Sequence, residues 1–164
     1  MARLSSRFFR SDNTMDLILW RHADAQDGSP DMERTLTAKG LKQAQQMAAW
    51  LTPRLPKETR ILVSPAVRAY QTANALERDY EIVPEISPGA DGVHVLAAAG
   101  WPDATGTILV VGHQPTLGDA ASLLLFGESR PMSIKKAGLI WLTNRVRGSQ
   151  PQTVLKAAIT VEML

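Results

Sequence analysis

The sequence predicts a three-layer α/β sandwich with a mainly parallel central sheet, helices on both faces and one antiparallel edge strand. Short apolar runs alternate with segments of helical periodicity along most of the chain, which is the order of βαβ units. These runs are nearly continuous in apolar content, as parallel strands covered on both faces are. The last two runs follow each other without a helix between them, so one of the two strands should be antiparallel.

The first half of the chain contains two predicted strands and two predicted helices. The strands are expected over residues 16–20 and 60–64, where apolar runs precede turn residues. Thr37 can cap a helix that Pro53 ends. The expected buried face of that helix consists of Leu41, Ala44, Met47, Ala48 and Leu51. Ser64-Pro65 marks the start of the second helix. Its expected buried side consists of Val67, Tyr70, Ala73 and Leu76.

The second half continues the alternation and then closes with two strands. A weaker helical pattern covers residues 90–99, and a third strand is expected over residues 107–112. Pro115 opens another helix, which Gly127 ends. The last two strands are expected over residues 138–143 and 153–162. Because no repeat or linker interrupts this order, residues 15–164 are interpreted as a single domain.

Composition restricts the classes of function. The chain has 164 residues, of which 45% are hydrophobic, enough for one core. It has no cysteine, which excludes disulfides, thiol nucleophiles and cysteine zinc sites and is compatible with a cytoplasmic protein. No apolar run reaches the roughly 20 residues that span a bilayer, so we expect no membrane partner.

The net positive charge of the chain comes from its first 14 residues. Residues 1–14 contain three arginines and one aspartate, and their net charge of +2 equals that of the whole chain. We therefore interpret residues 1–14 as a flexible basic leader. Since the remainder is electrically neutral, a nucleic-acid-binding face has no support.

Charged residues follow three of the predicted strands. The first strand leads into Arg21-His22, the second into Ser64 with Arg68 one helical turn later, and the third into His113. Ligands in α/β folds bind beyond the carboxyl ends of parallel strands. We therefore expect these side chains to meet at one rim of the sheet, with Ser64 among the residues that bind substrate.

This set of residues predicts metal-free phosphoryl transfer. Two guanidinium groups match phosphate oxygens and stay charged at any physiological pH. Their charge keeps a nearby imidazole neutral, so His22 can attack phosphorus and form a covalent phosphohistidine. His113 can donate to the phosphoryl oxygens. No cofactor is required.

The same residues resemble the histidine phosphatase superfamily. The resemblance covers about residue 15 to the end of the chain and implies a phosphoglycerate mutase-like fold. It also implies a pocket in which Arg21, His22, Arg68 and His113 hold phosphate and His22 is phosphorylated. The motifs that match the superfamily are Arg21-His22-Ala23, Ser64-Pro65-x-x-Arg68-Ala69-x-Gln71-Thr72 and Gly112-His113-x-Pro115. A further motif, Arg34-x-Leu36-Thr37-x-x-Gly40, is similar to the compact branch of SixA-type phosphohistidine phosphatases.

The resemblance does not identify the residue that would protonate the leaving group. Larger relatives carry an acidic residue on an insertion after the second helix, a region that is short here. Asp24, Glu85 and Asp91 are the candidate donors, although each is equally consistent with a solvated surface acid. A phosphoramidate needs less help from an acid than an alkyl phosphate does, and a compact chain should leave its pocket open. Both points favour phosphohistidine on a protein as the substrate.

Three alternatives stay open on the sequence alone. The substrate could be a small phosphomonoester such as a sugar phosphate, or the chain could be a non-catalytic module that binds phosphorylated partners. A metal site of His22, His94 and His113 is the third, although its spacing matches no ligand motif and the arginines would repel a cation. Lys135 and Lys136 could add positive potential near the site, and are interpreted instead as a solvated turn.

Overall fold

A computed structural model describes residues 14–164. The leader expected over residues 1–14 therefore lies outside the described residues, except for Thr14. The strands are β1 (Met15–Arg21), β2 (Arg60–Val63), β3 (Glu81–Ile82), β4 (Gly106–Gly112), β5 (Leu139–Arg147) and β6 (Gln150–Ile159). The helices are α1 (Ala38–Leu51), α2 (Val67–Asn74), α3 (Gly92–Ala99) and α4 (Thr116–Phe126).

The six strands form one mixed sheet in the order β3-β2-β4-β1-β5-β6. Strands β1, β2, β3 and β4 pair in parallel, and β5 runs antiparallel to both β1 and β6. The predicted fold class is confirmed: a mainly parallel sheet with antiparallel pairing at one edge. The strand that runs against its neighbours is β5, and β6 forms the edge itself.

Both faces of the sheet are covered by helices, which explains the continuous apolar runs. Successive side chains of a strand point to opposite faces. Ile18 and Trp20 of β1 therefore pack in the core beneath α1 and α2, while Leu17 and Leu19 pack in the core beneath α3 and α4. All four are fully buried. Over residues 17–20 the strand therefore has no solvent-facing side on which a polar residue would be tolerated.

The buried face of helix α1 contains Ala44, Met47, Ala48 and Leu51 as predicted and differs from the prediction only in the first turn. Leu41, expected on the buried face, is 48% exposed, so that part of the prediction is wrong. Gly40 is buried in its place, and a Cβ atom there would lie 2.0 Å from the backbone oxygen of Asp24. The start of α1 thus docks against the loop after β1 through a glycine, which is buried there while the neighbouring Leu41 is exposed. Thr37 caps it as expected, since its hydroxyl accepts a hydrogen bond from the Gly40 N–H.

Helix α2 turns two polar side chains inward, one in its first turn and one in its second. Arg68 and Thr72 are buried, whereas Val67 and Tyr70, which were expected on the buried side, are half-buried. The reason is the docking of this helix: Thr72 bonds the backbone of the loop after β1. Buried polar side chains need such partners.

The remaining differences concern short or shifted elements. Strand β3 has only two residues, both exposed, and its sequence carries no apolar run that would have revealed it. Strand β6 begins and ends three residues before the expected range, because the hairpin with β5 turns at residues 148–149. Within residues 14–164, no helix has the length and hydrophobicity needed to cross a membrane.

Candidate active site

The two histidines lie side by side because their strands are neighbours in register. Arg21, the last residue of β1, pairs with Gly112, the last residue of β4. The next residues, His22 and His113, therefore leave the sheet together, and the His22 N–H donates to the Gly112 carbonyl at 3.0 Å. Their ring centroids are 5.2 Å apart. Both side chains are buried at the carboxyl ends of the strands.

Arg68 reaches the same place from the first turn of α2. It is only 4% exposed, and its Nε donates to His22 Nε2 at 3.3 Å. Arg21, His22, Arg68 and His113 all line one hollow of about 310 Å³. The structure thus brings together the residues that the sequence placed at one rim.

Hydrogen bonds define the tautomer of His22. Its Nδ1 lies 2.7 Å from the Ala23 carbonyl oxygen, and because a carbonyl only accepts, Nδ1 carries the hydrogen. Nε2 therefore has a free lone pair, to which Arg68 donates. The Ala23 N–H in turn donates to Thr72 Oγ1 at 3.0 Å, which anchors this segment to α2.

The imidazoles are held in the neutral form. Burial, assisted by the positive charges of Arg68 and Arg21, lowers the pKa of His22 to about 4. Burial, assisted by His22 and Arg68, lowers the pKa of His113 to about 3. A cation in this low-dielectric, already positive place is unfavourable. A neutral imidazole with a free lone pair is what a nucleophile requires.

Ser64 lies behind His113, not at the surface of the pocket. We expected it among the substrate-binding residues, but it is fully buried. Its Oγ is 2.7 Å from His113 Nε2, and it accepts a hydrogen bond from the Ala66 N–H. Its place in the structure is that of a residue that orients the His113 ring.

Two nitrogen atoms beside the pocket have unused hydrogen-bonding capacity. Arg21 Nη1 donates to the Ile134 carbonyl at 2.7 Å. Arg21 Nε and His113 Nδ1, by contrast, are buried and have no partner within residues 14–164. Buried polar groups are nearly always paired. Both nitrogens suit contact with the oxygens of a bound anion.

Asp31 and Arg34, which were not predicted as site residues, also line the pocket. The Asp31 carboxylate accepts from Arg68 Nη2 at 3.0 Å and from Arg34 Nη1 at 2.9 Å, and its carbonyl accepts from Arg68 Nη1 at 2.7 Å. A bridge between Ala25 and Leu36 closes the loop that carries them. Within the sequence, the spacing of three residues between Asp31 and Arg34 was the available signal.

The three acids considered as proton donors lie away from the pocket lining. Asp24 accepts hydrogen bonds from Lys136 Nζ and Thr37 Oγ1, which hold its pKa below the ordinary value. Glu85 is exposed in a short 3₁₀ turn. Asp91 caps α3 by accepting from the His94 N–H. None of the three is among the residues that line the hollow.

The other residues considered from the sequence separate into two positions. His94 is largely exposed and bonds to Asp91, so it does not join His22 and His113. No cluster of three or more potential metal-ligating side chains occurs in the described part of the chain. Lys136 lines the pocket while paired with Asp24, whereas Lys135 lies 3.6 Å from Glu162 at the surface.

Comparison with known proteins identifies the family. Residues 17–102 match the profile of the histidine phosphatase superfamily (branch 1). The chain belongs to this family. The phosphohistidine phosphatase SixA of Escherichia coli is 33% identical to this histidine phosphatase over 127 residues, which cover 72% of this chain and 79% of the relative.

Solved structures agree with this assignment. The protein histidine phosphatase SixA complexed with tungstate superposes with a TM-score of 0.72 at 25% identity, covering 91% of this chain and 99% of that one. A mutant phosphoserine phosphatase of Entamoeba histolytica in complex with phosphoserine has a TM-score of 0.65 at 19% identity, with 92% and 99% coverage, and shows the shared fold alone. This histidine phosphatase thus falls with the SixA-type branch.

Proposed function

We propose that this phosphatase removes the phosphoryl group from phosphohistidine on a protein, through a covalent phosphohistidine formed on Nε2 of His22. The observation that carries the proposal is the orientation of His22: Nδ1 donates to the Ala23 carbonyl, so the lone pair of Nε2 lies in a pocket that also contains Arg21, Arg34 and Arg68. The similarity to SixA supports phosphohistidine as the substrate class.

In the first step, His22 Nε2 forms a bond to phosphorus while the bond between phosphorus and the substrate's ring nitrogen breaks. The electron pair of the broken bond stays on the leaving nitrogen. Arg68 shifts its Nε hydrogen bond from His22 Nε2 to a phosphoryl oxygen, and Arg21 contributes its unpaired Nε. These donors stabilise the negative charge on the phosphoryl oxygens in the transition state.

In the second step, water attacks the phosphorus and the bond to Nε2 breaks. The phosphorylated ring of His22 is a cation, because Nδ1 keeps its hydrogen, and the Ala23 carbonyl stabilises it. Hydrolysis returns neutral His22 and releases dihydrogen phosphate, so atoms and charges balance without an added acid. His113, held by Ser64, donates to the phosphoryl oxygens through its remaining ring nitrogen.

The shape of the pocket fits a side chain of another protein. A volume of about 310 Å³ is at the small end of the roughly 300–1,000 Å³ of ligand pockets, enough for a phosphoryl group and an attached ring. Two residues at its mouth, Asp31 and Lys136, have side chains about half exposed. The rest of the substrate would lie outside the pocket, as a protein does.

The test compares substrates on the wild type, His22→Ala and the matched variant His94→Ala, which removes a histidine outside the pocket. We expect phosphate release from a histidine-phosphorylated protein by the wild type and His94→Ala, and none by His22→Ala. Faster turnover of sugar phosphates would favour the small-substrate alternative. Tight binding of the phosphorylated protein with no turnover and no acid-labile label on His22 would instead indicate a binding module.

A further inference from the structure

Asp31 places a carboxylate at the mouth of the phosphate pocket. Its side chain is 54% exposed, whereas the imidazoles of His22 and His113 are buried. The guanidinium of Arg68 connects the buried His22 with the exposed Asp31, because its Nε donates to His22 and its Nη2 donates to Asp31. A phosphoryl group held against His22 would point its leaving group away from that nucleophile, towards the mouth and Asp31.

This carboxylate is held in its ionised form. Hydrogen bonds from Arg34 and Arg68 keep the pKa of Asp31 below its ordinary value. An ionised carboxylate has no proton to give to an alcohol leaving group, and it repels a developing alkoxide. It is suited to the opposite kind of leaving group, one that carries a hydrogen and positive charge.

We propose that Asp31 selects phosphohistidine over phosphate monoesters by accepting a hydrogen bond from the protonated ring of the leaving imidazole. The proposal rests on the function proposed above and names the residue that determines its specificity. Asp31 contacts the leaving group, and Arg34 and Arg68 position it.

The charges of this step balance. The phosphorylated ring carries hydrogen on its second nitrogen and is a cation, which Asp31 stabilises. When the bond to phosphorus breaks, the electron pair moves to the leaving nitrogen and the ring departs as neutral imidazole. Without that hydrogen the ring would have to leave as an imidazolate anion, so keeping the ring protonated favours the step.

The test uses Asp31→Asn with two small substrates of opposite leaving-group charge. N-phosphoimidazole loses an imidazole that needs a proton, whereas p-nitrophenyl phosphate loses a stable anion. We expect kcat/KM of Asp31→Asn to fall about tenfold or more for N-phosphoimidazole, the loss expected for one charged hydrogen bond. For p-nitrophenyl phosphate it should stay equal or rise, because a repelling charge has been removed.

The variant is designed to retain the position of Arg68. The side-chain oxygen of asparagine can still accept from Nη2, and the backbone carbonyl that accepts from Nη1 is unchanged. Glu33→Gln is the matched control. It removes an exposed negative charge from the short 3₁₀ helix Asp31–Glu33 that also carries Asp31, and Glu33 is outside the pocket lining. Both activities of Glu33→Gln should equal those of the wild type.

The outcomes separate this proposal from the proposed function. Equal losses of Asp31→Asn on both substrates would mean that Asp31 only positions arginines, and unchanged activity on both would mean that it has no role; either overturns the proposal while leaving the proposed function intact. In the expected case, the alkaline limit of N-phosphoimidazole turnover also moves to lower pH in the variant. A wild type that hydrolyses neither N-phosphoimidazole nor a histidine-phosphorylated protein overturns both.

Discussion

Acidification should leave the nucleophile active well below neutral pH. Burial, with Arg68 and Arg21, lowers the pKa of His22 from 6.5 to about 4. At pH 5, an imidazole with a pKa near 4 is roughly 90% neutral, whereas one with the ordinary value is about 3% neutral. The fraction of enzyme that carries a free lone pair therefore differs about thirtyfold between the two cases at that pH.

Imidazole NMR measures this fraction directly. The chain has three histidines, so the single substitutions His22→Asn and His94→Asn assign the resonances in long-range proton–nitrogen spectra recorded from pH 3.5 to 8. The pH dependence of kcat/KM for p-nitrophenyl phosphate reports on the free enzyme. As the pH is lowered, kcat/KM should not decline with a midpoint near pH 6.5. A His22 titration midpoint near 6.5 would refute the argument that burial and the arginines keep this ring neutral.

Three further predictions concern stability and the phosphate pocket. The unfolded chain protonates His22 near pH 6.5 and the folded chain only near pH 4, so the free energy of unfolding falls as the pH is lowered through that window, by up to about 1.4 kcal/mol per pH unit. Urea unfolding at pH 6.5 and pH 5 should show a loss of stability about 1.5 kcal/mol larger in the wild type than in His22→Asn, and equal losses would contradict it. Arg68→Lys should lower kcat/KM about 10²–10³-fold, because one ammonium cannot replace three guanidinium hydrogen bonds. The control is Arg130→Lys, outside the pocket lining, whose kcat/KM should equal that of the wild type. Gly40→Ala should destabilise the fold by about 1–3 kcal/mol or more in urea unfolding, since its Cβ would meet the Asp24 carbonyl, and wild-type stability would disprove this close approach.

The sequence predicted that the site residues lie close together, because residues that follow the carboxyl ends of parallel strands meet at one edge of the sheet. That rule depends on strand topology alone. Once β1 and β4 are parallel neighbours, the residues that follow them must emerge together, and the register of Arg21 with Gly112 places His22 beside His113. Arg68 follows from β2, which pairs with β4. No side-chain detail is needed for this inference.

The parts that sequence did not predict depend on how individual segments pack. Asp31 reaches the pocket because its loop folds back over the rim, where Gln71 accepts a hydrogen bond from the Leu36 N–H at 2.7 Å. The exposure of Leu41 accompanies the close contact of Gly40 with the loop after β1. Apolar periodicity carries no information on either contact, since both involve backbone groups.

The pocket's own groups keep fixed protonation states on the proposed mechanism. Guanidinium groups do not titrate in the physiological range, the pKa values of His22 and His113 are lowered to about 4 and 3, and two arginines hold Asp31 ionised. At neutral pH the titrating group is therefore the ring of the substrate. A leaving imidazole brings its own proton, whereas an alkyl phosphate would have to obtain one from a pocket whose neighbouring carboxylate has none. On these proposals arginine charge serves two purposes, since it binds the phosphoryl group and, by keeping Asp31 ionised, restricts the leaving groups that can depart.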